Sequence, residues 1–296
     1  MTPREEGFLL LTGFLGDPDR KPLTIAQLRS LAQRARMMER PKVERELTNE
    51  DLIALGYNQT MAARIVGLLS QNAQLQWYMG KGYSLGCTPI TRISEGYPES
   101  LRRLGPDAPS ALWTKGDREL LHRPAISLVG SRDLRPDNRG FAWELGKQAA
   151  LQGYVLVSGN ARGADRTAQE ACLTHGGSVI SVVADALSQQ KEEPNILYVS
   201  EEGFDLPFTS QRALQRNRII HAWGQKVFVA QCRLGKGGTW SGTRMNLKKG
   251  LRPVFCFRDG SAAAEELMRL GADLVTQEDL VDISQIQPMC LSFLDP

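Results

Sequence analysis

The sequence predicts an α/β chain: a doubly wound, mostly parallel sheet with helices on both faces, preceded by a small all-helical unit. Three observations carry that expectation. From residue 124 onward, short apolar runs alternate with amphipathic stretches of helical spacing, the signature of repeated strand–helix units. Two of those runs end in glycine-bearing turns, VGSRD (129–133) and SGNARGAD (158–165), where a chain can pass sharply from strand into helix. Residues 1 to 80, by contrast, show helical spacing of apolar residues and no strand-like run.

The elements follow in order. TIAQLRSLAQRARMMER (24–40) reads as one helix. LTNEDLIALGYNQTMAARIVGLLSQNAQLQWYMGKG (47–82) reads as several short ones, with Thr48 as N-cap and Asp51 as the third residue of an imperfect capping box. Small helices around a glycine turn sometimes touch nucleic-acid backbone, but they serve more often as packing modules. GYSLGCTPITRISEGYPESLRRLGPDAPSALWTKGD is dense in Gly and Pro and has room only for short strands or one helical turn. AISLVG (125–130), YVLVSG (154–159), SVISVVA (178–184), KVFVAQ (226–231) and RPVFCF (252–257) read as strands. NRGFAWELGKQAALQG (138–153) and GADRTAQEACLTHGG (163–177) read as helices closing on glycine. The division expected is a helical domain over 1–82, a connector over 83–120, the sheet domain over 121–283 and a tail over 284–296.

Composition narrows the function classes. With 42% hydrophobic and 23% charged residues among 296, the chain has the make-up of a soluble globular protein. No apolar run is long enough to span a bilayer. The start, MTPREEGFLLLTGFLG, lacks the form of a secretory signal, so the expected compartment is the cytoplasm. Cys87, Cys172, Cys232, Cys256 and Cys290 form no CxxC pair, and His122, His175 and His221 have no ligand spacing, so no metal and no cofactor are expected. The net charge of +3 is modest, but its distribution is uneven: Leu206 to Arg258 holds eleven Lys or Arg and no acid. Such a tract suits a phosphate-rich polymer, and equally a solvated cationic face with no partner.

In a parallel doubly wound sheet, ligands bind beyond the carboxyl ends of the strands, near the switch in strand order. Gly130, Ser131 and Arg132 follow the first strand; Ser158, Gly159, Arg162 and Gly163 follow the second. Glycine lets backbone approach a ligand, helix N-terminal amides favour an anion, and arginine supplies a planar cation matched to phosphate. Asp165 suits a first helical turn. Tight βα turns alone account for the glycines; they do not account for two arginines at adjacent strand ends. Arg216, Asn217 and Arg218 are expected at a helix start, and Lys236, Gly237, Gly238 and Thr239 as a nest of amides beside one cation. The remaining tryptophans are expected in packing: Trp113, Trp143 and Trp223 in core or interface, Trp77 between helices.

Taken in order, VGSR, SGNARGAD, QRNRII and GKGGTWSGT resemble the DprA/Smf family of DNA-processing proteins, whose usual forms are VGSR, SGLARGID and RNRIIA followed by a Lys- and Ser-Gly-bearing loop. YPESLRRLGPDAPSALWTKGD (97–117) and LGADLVTQEDLVD (270–282) resemble the family's flanking segments, so the likeness spans residues 45 to 283. The resemblance implies an extended Rossmann-like domain, with a SAM- or helix-hairpin-helix-like helical domain before it. It implies a homodimer that binds single-stranded DNA without cutting it and hands the strand to a RecA-type recombinase during DNA uptake. It places Ser131, Arg132, Arg162, Arg216, Asn217, Arg218 and Lys236 in the DNA pocket.

The chain departs from the family pattern at Asn160, Ala164 and the GGTWSGT loop. Ala213 also stands where members often carry a base-stacking aromatic, leaving Phe208 and Trp240 as substitutes. Four alternatives stand beside this reading: a DprA-like component of a toxin–antitoxin or anti-phage defence module, a nucleotide-binding sensor, a protein-interaction module with a vestigial pocket, and a nucleotide phosphoribohydrolase-like enzyme. The last needs a PGGxGTxxE loop, and here Arg244, Met245 and Asn246 follow Thr243 with no acid before Asp259.

Overall fold

The computed structural model describes residues 1–37 and 46–289. The end of the helix expected over 24–40, Cys290 and the last residues of the 284–296 tail lie outside those described. The chain runs α1 (Pro3–Thr12), α2 (Ile25–Ala35), α3 (Asn49–Ala54), α4 (Gln59–Leu69), α5 (Asn72–Ser84), β1 (Thr88–Thr91), α6 (Glu99–Arg102), β2 (Ala111–Gly116), β3 (Ala125–Val129) and α7 (Pro136–Leu151). It continues with β4 (Val155–Ser158), α8 (Ala164–Thr174), β5 (Ser178–Val182), β6 (Ile196–Ser200), α9 (Ser210–Trp223), β7 (Val227–Val229), α10 (Gly237–Lys249), β8 (Val254–Phe257), α11 (Ala262–Arg269) and β9 (Asp273–Val275).

The sheet order is β1-β2-β6-β5-β4-β3-β7-β8-β9. From β6 to β9 every pairing is parallel. The chain enters this parallel run at β3, winds outward through β4, β5 and β6, then returns to the other side of β3 with β7. The change of direction falls between β3 and β7, as in a Rossmann sheet. β6 and the antiparallel pair β1–β2 extend it at one end.

Buried parallel strands read as continuous apolar runs because both faces are covered. Here β3, β4, β5 and β6 are buried at every position. Alternate residues feed two cores. Val129, Val155, Val157 and Ile180 pack with Ile219, Ile220, Trp240 and Leu267 of α9, α10 and α11. Ile126, Leu128, Leu156 and Phe228 pack with Phe141, Leu145 and Ala168 of α7 and α8.

The segment expected as a connector supplies β1 and β2 to the sheet. Their short antiparallel strands cover the edge of β6, and Thr88 and Thr114 join hydroxyls at 3.0 Å across the pair. Thr48 does form its capping box, accepting from the Asp51 amide at 3.3 Å while the Asp51 carboxylate accepts from the Thr48 amide at 2.9 Å. The N-terminal helices hold their own core of Leu23, Leu31, Leu52, Ile65 and Leu68. They dock on β2 through Tyr78, Trp113 and Phe204, whose rings lie 4.5 to 5.3 Å apart. Trp77 is not packed between helices: it is 58% exposed, because α5 turns Tyr78 rather than Trp77 toward the sheet. Trp143, also expected in packing, stands 37% exposed on α7.

Candidate functional site

At the carboxyl ends of β3, β4 and β7, against the side of α9, lies a two-lobed cleft. The first lobe, ≈ 380 Å³, is bordered by Gly130, Ser131 and Arg132 after β3, by Arg216 and Asn217 of α9, and by Lys236, Gly237 and Thr239 at the start of α10. The second, ≈ 340 Å³, shares Arg132, Ala161, Ala213 and Arg216 with it and adds Gly159, Asn160, Arg162, Asp185 and Phe208. The first lobe opens where the strand order switches, the place the parallel fold reserves for ligands, and the second continues from it along the ends of β4 and β5.

Close approaches explain the glycines. A Cβ on Gly159 would stand 1.5 Å from Nη1 of Arg216, so only glycine lets that guanidinium lie against the loop. Gly163 has φ +90° and ψ −126°, and a Cβ there would meet the Ser131 and Arg132 carbonyls at 2.4 Å. It therefore lies beneath the cleft and locks the two strand-end loops together. Gly130 makes its close approach to Ala164, so the small residue in place of the family's Ile matches the tight crossing. Thr239 donates its hydroxyl to the Gly130 carbonyl at 2.9 Å, tying the first turn of α10 to the same loop.

The GKGGTWSGT stretch is thus a helix N-terminus. Lys236 is its N-cap and no side chain caps the first-turn amides, so donors and positive dipole end face the cleft. Trp240 is 5% exposed and belongs to the core, which removes it as a stacking residue. Phe208 is 52% exposed on the wall of the second lobe.

Arg216 dominates the electrostatics. It is 8% exposed, and its Nε and Nη1 are buried without a hydrogen-bond partner. Asp165 is its ion-pair partner, with Nη2 3.9 Å from Oδ2, and the Asp185 charge acts on it from farther off. Asp165 also accepts from the amides of Gly159 at 3.1 Å and Ala161 at 3.2 Å, which shapes the SGNARGAD loop. Burial pushes the Asp165 carboxyl up and the Arg216 guanidinium down, each against the pull of the other. The pair is thus poorly satisfied, and an arriving phosphate would supply the acceptors that Arg216 lacks. Arg132 and Lys236 are exposed at the mouth and make no side-chain hydrogen bond or ion pair among the described residues. Arg162 reaches Asp133 at 2.7 Å, and Arg233 reaches the same carboxylate at 3.5 Å.

Two sequence-predicted residues lie elsewhere. Ser158 is buried, its hydroxyl accepting from Gln169 Nε2 at 2.6 Å beneath the strand end. Arg218 points away from the cleft, bonding Glu201 and the Asp107 carbonyl, the latter at 2.9 Å. The reason is helical period. Residues 216 to 218 lie in the middle of α9, not at its start, and two residues turn a side chain through about 200°. Asn217 accordingly caps nothing; Thr209 caps α9, and Asn217 packs against Gly238. Arg233, Asp133, Asn160 and Asp185 join the site unpredicted. Arg233 had one signal, its place three residues before Lys236, which a tight turn brings opposite it.

A doubly wound sheet with a cationic, amide-lined cleft at the carboxyl ends of its strands defines a Rossmann-like protein. The chain belongs to the DNA recombination-mediator protein A family, the DprA/Smf family, whose model matches residues 88–285. It is 30% identical over 206 residues to Protein Smf of Escherichia coli (strain K12), covering 64% of this chain and 54% of that protein. It is 31% identical over 203 residues to DNA processing protein DprA of Streptococcus pneumoniae, covering 62% and 69%. The chain thus spans about half the length of the Escherichia coli relative. The fold matches the crystal structure of DprA from Streptococcus pneumoniae with a TM-score of 0.72 at 23% identity, over 97% of this chain and 100% of that one. DprA from Helicobacter pylori, whose structure is described for its single-stranded DNA binding mode, matches with a TM-score of 0.56 at 26% identity, over 66% and 94%.

Proposed function

We propose that the cleft binds the sugar–phosphate backbone of single-stranded DNA without cutting it. The observation that carries this is Arg216, a buried guanidinium with two unpartnered nitrogens between the lobes, facing the uncapped start of α10. Arg132 and Lys236 extend the positive rim, and each neutralised phosphate releases counterions. Phe208 offers a ring on which an unpaired base can stack, which duplex DNA does not present. The single-stranded DNA binding described for the Helicobacter pylori relative supports the reading. So does family membership for the wider role: handing the strand, as a homodimer, to a RecA-type recombinase.

Fluorescence anisotropy with single- and double-stranded oligonucleotides at two salt concentrations tests it. Single strands bind more tightly, and affinity falls steeply with salt, the slope shrinking by about one per phosphate-contacting cation removed. A flat salt response overturns the mechanism. Displacement of the oligonucleotide by low concentrations of mononucleotide would instead favour a nucleotide sensor. Release of free base from nucleotides would favour a hydrolase; against that, Asp165 is committed to two amides and Arg216.

A further inference from the structure

The second lobe contains a feature that phosphate binding does not use. Asp185 follows β5 on the same rim and faces a lobe that also holds Arg132, Arg162 and Arg216; its charge acts on Arg216 and on Arg212, but it makes no direct ion pair with either among the described residues. Its Oδ2 accepts from Gln190 Nε2 at 3.1 Å, and its Oδ1 has no protein donor among the described residues. A carboxylate repels phosphate, so at this position it serves a ligand group that donates. Asn160 lines the same lobe with φ +58°, and its carboxamide makes no hydrogen bond among the described residues. A non-glycine residue held in the left-handed region is a cost that functional sites tolerate.

One arginine fixes the spacing. Arg212 donates to the carbonyls of Ala184 at 2.6 Å and Pro207 at 2.8 Å, the residues immediately before Asp185 and Phe208. It also bonds the Leu206 carbonyl at 3.0 Å and the Ser200 hydroxyl at 3.1 Å. A single half-buried guanidinium therefore sets an aromatic ring and a carboxylate with one unbonded oxygen on the same lobe.

We propose that the second lobe is a nucleobase pocket that reads guanine: Phe208 covers the ring face, and the Asp185 carboxylate accepts from N1–H and N2–H of the Watson–Crick edge. The carboxamide of Asn160 is the donor available to O6. This rests on the single-strand reading above and adds base selection to it. Adenine and cytosine each offer one exocyclic amine to a carboxylate; thymine sets its N3–H between two carbonyls.

The test compares a short thymidine oligonucleotide with ones carrying isolated guanines, inosines or cytosines, at one salt concentration. The expected result is tighter binding of the guanine strand by on the order of fivefold or more, with inosine between guanine and thymine. Asp185→Asn removes that preference, read as the ratio of guanine-strand to thymidine-strand affinity measured on the same protein. Phe208→Leu keeps an apolar side chain, loses the ring face, and lowers affinity for every strand at unchanged salt slope. Equal affinity for guanine and thymine strands, or a preference that survives Asp185→Asn in a folded protein, overturns the base pocket and leaves the backbone reading standing. Failure to bind any single strand overturns both.

Discussion

Helix α9 carries Arg212, Arg216 and Arg218, and they have different fates. Arg212 and Arg216, one turn apart, share a face of α9, and Arg218 lies across the helix from them. Arg212 and Arg218 are nonetheless both consumed by the protein, one gripping the 184 and 206–207 carbonyls and the other pairing with Glu201, while Arg216 is left with two buried nitrogens unbonded. The same division runs through the whole basic tract. Lys226 bonds the Ser284 carbonyl and Arg252 that of Ala222, while Lys236 stands free at the cleft mouth. A cation is therefore available to a ligand because its neighbours lack acceptors, and its place in a basic run decides nothing.

The largest expected effect comes from breaking the unsatisfied member. Arg216→Gln abolishes oligonucleotide binding, by about 100-fold or more, since it removes the buried one of the two cations, Arg132 and Arg216, that both lobes share. It also strands Asp165, at a stability cost of about 3–5 kcal/mol. The double variant Asp165→Asn/Arg216→Gln recovers most of that stability and none of the binding. Thermal denaturation beside anisotropy separates the two, and a double variant that binds normally would remove Arg216 from the site.

His221, on the same helix, is the contrasting case of a buried base with no ligand to serve. Its Nδ1 lies 3.3 Å from Asn246 Nδ2, and Nε2 faces Gly242 with no acceptor. Because the Asn246 oxygen already accepts from the Arg252 amide, its nitrogen donates to Nδ1, and the ring stays neutral. Burial pushes His221 down from 6.5 to about 4. The unfolded chain therefore binds a proton that the native chain refuses. Stability is full above pH 6.5 and falls as pH drops toward 4, by on the order of 3 kcal/mol. Denaturant unfolding at pH 7 and pH 5 measures this, and His221→Gln flattens the difference.

Much of this fold could be read from the sequence because buried parallel strands announce themselves as apolar runs ending in glycine. AISLVG and YVLVSG fell on β3 and β4 for that reason. The strands not recognised were β1 and β2 among Gly and Pro, β9 with only three residues, and β6, whose run ILYVS does not end in glycine. In the cleft, residues on strand-end loops were legible because the fold itself aims them. On α9 the motif Arg-Asn-Arg yielded Arg216 and Asn217, which line the cleft, together with Arg218, which does not, because it gives composition without phase and the true helix start at Ser210 has no apolar run before it. The pairing of Arg218 with Glu201 and the placing of Asp185 beside Arg216 depend on contacts between distant segments, which local pattern does not contain.

A paired substitution sharpens the comparison further. Arg218→Ala removes bonds to Glu201 and the Asp107 carbonyl and destabilises the fold by about 2 kcal/mol, with oligonucleotide affinity held within about twofold. Arg132→Ala does the reverse: stability is unchanged, affinity drops by about tenfold, and the salt slope shrinks by about one. Loss of DNA binding in Arg218→Ala at normal stability would return that residue to the site.

The smallest effect tests a cation shared between protein and ligand. Asp133 is exposed at the rim, where Arg162 and Arg233 both reach it. Exposed pairs of this kind contribute about 0–1 kcal/mol, little enough for a phosphate to displace them. Asp133 thus occupies the place of an anion and competes with one. Asp133→Asn should raise oligonucleotide affinity about two- to fivefold at low salt and steepen the salt dependence, with the gain vanishing at high salt as screening removes the competition. If affinity fell instead, Asp133 would be aligning the two arginines rather than occupying them, and the rim cations would belong with Arg212 among those the fold has already used.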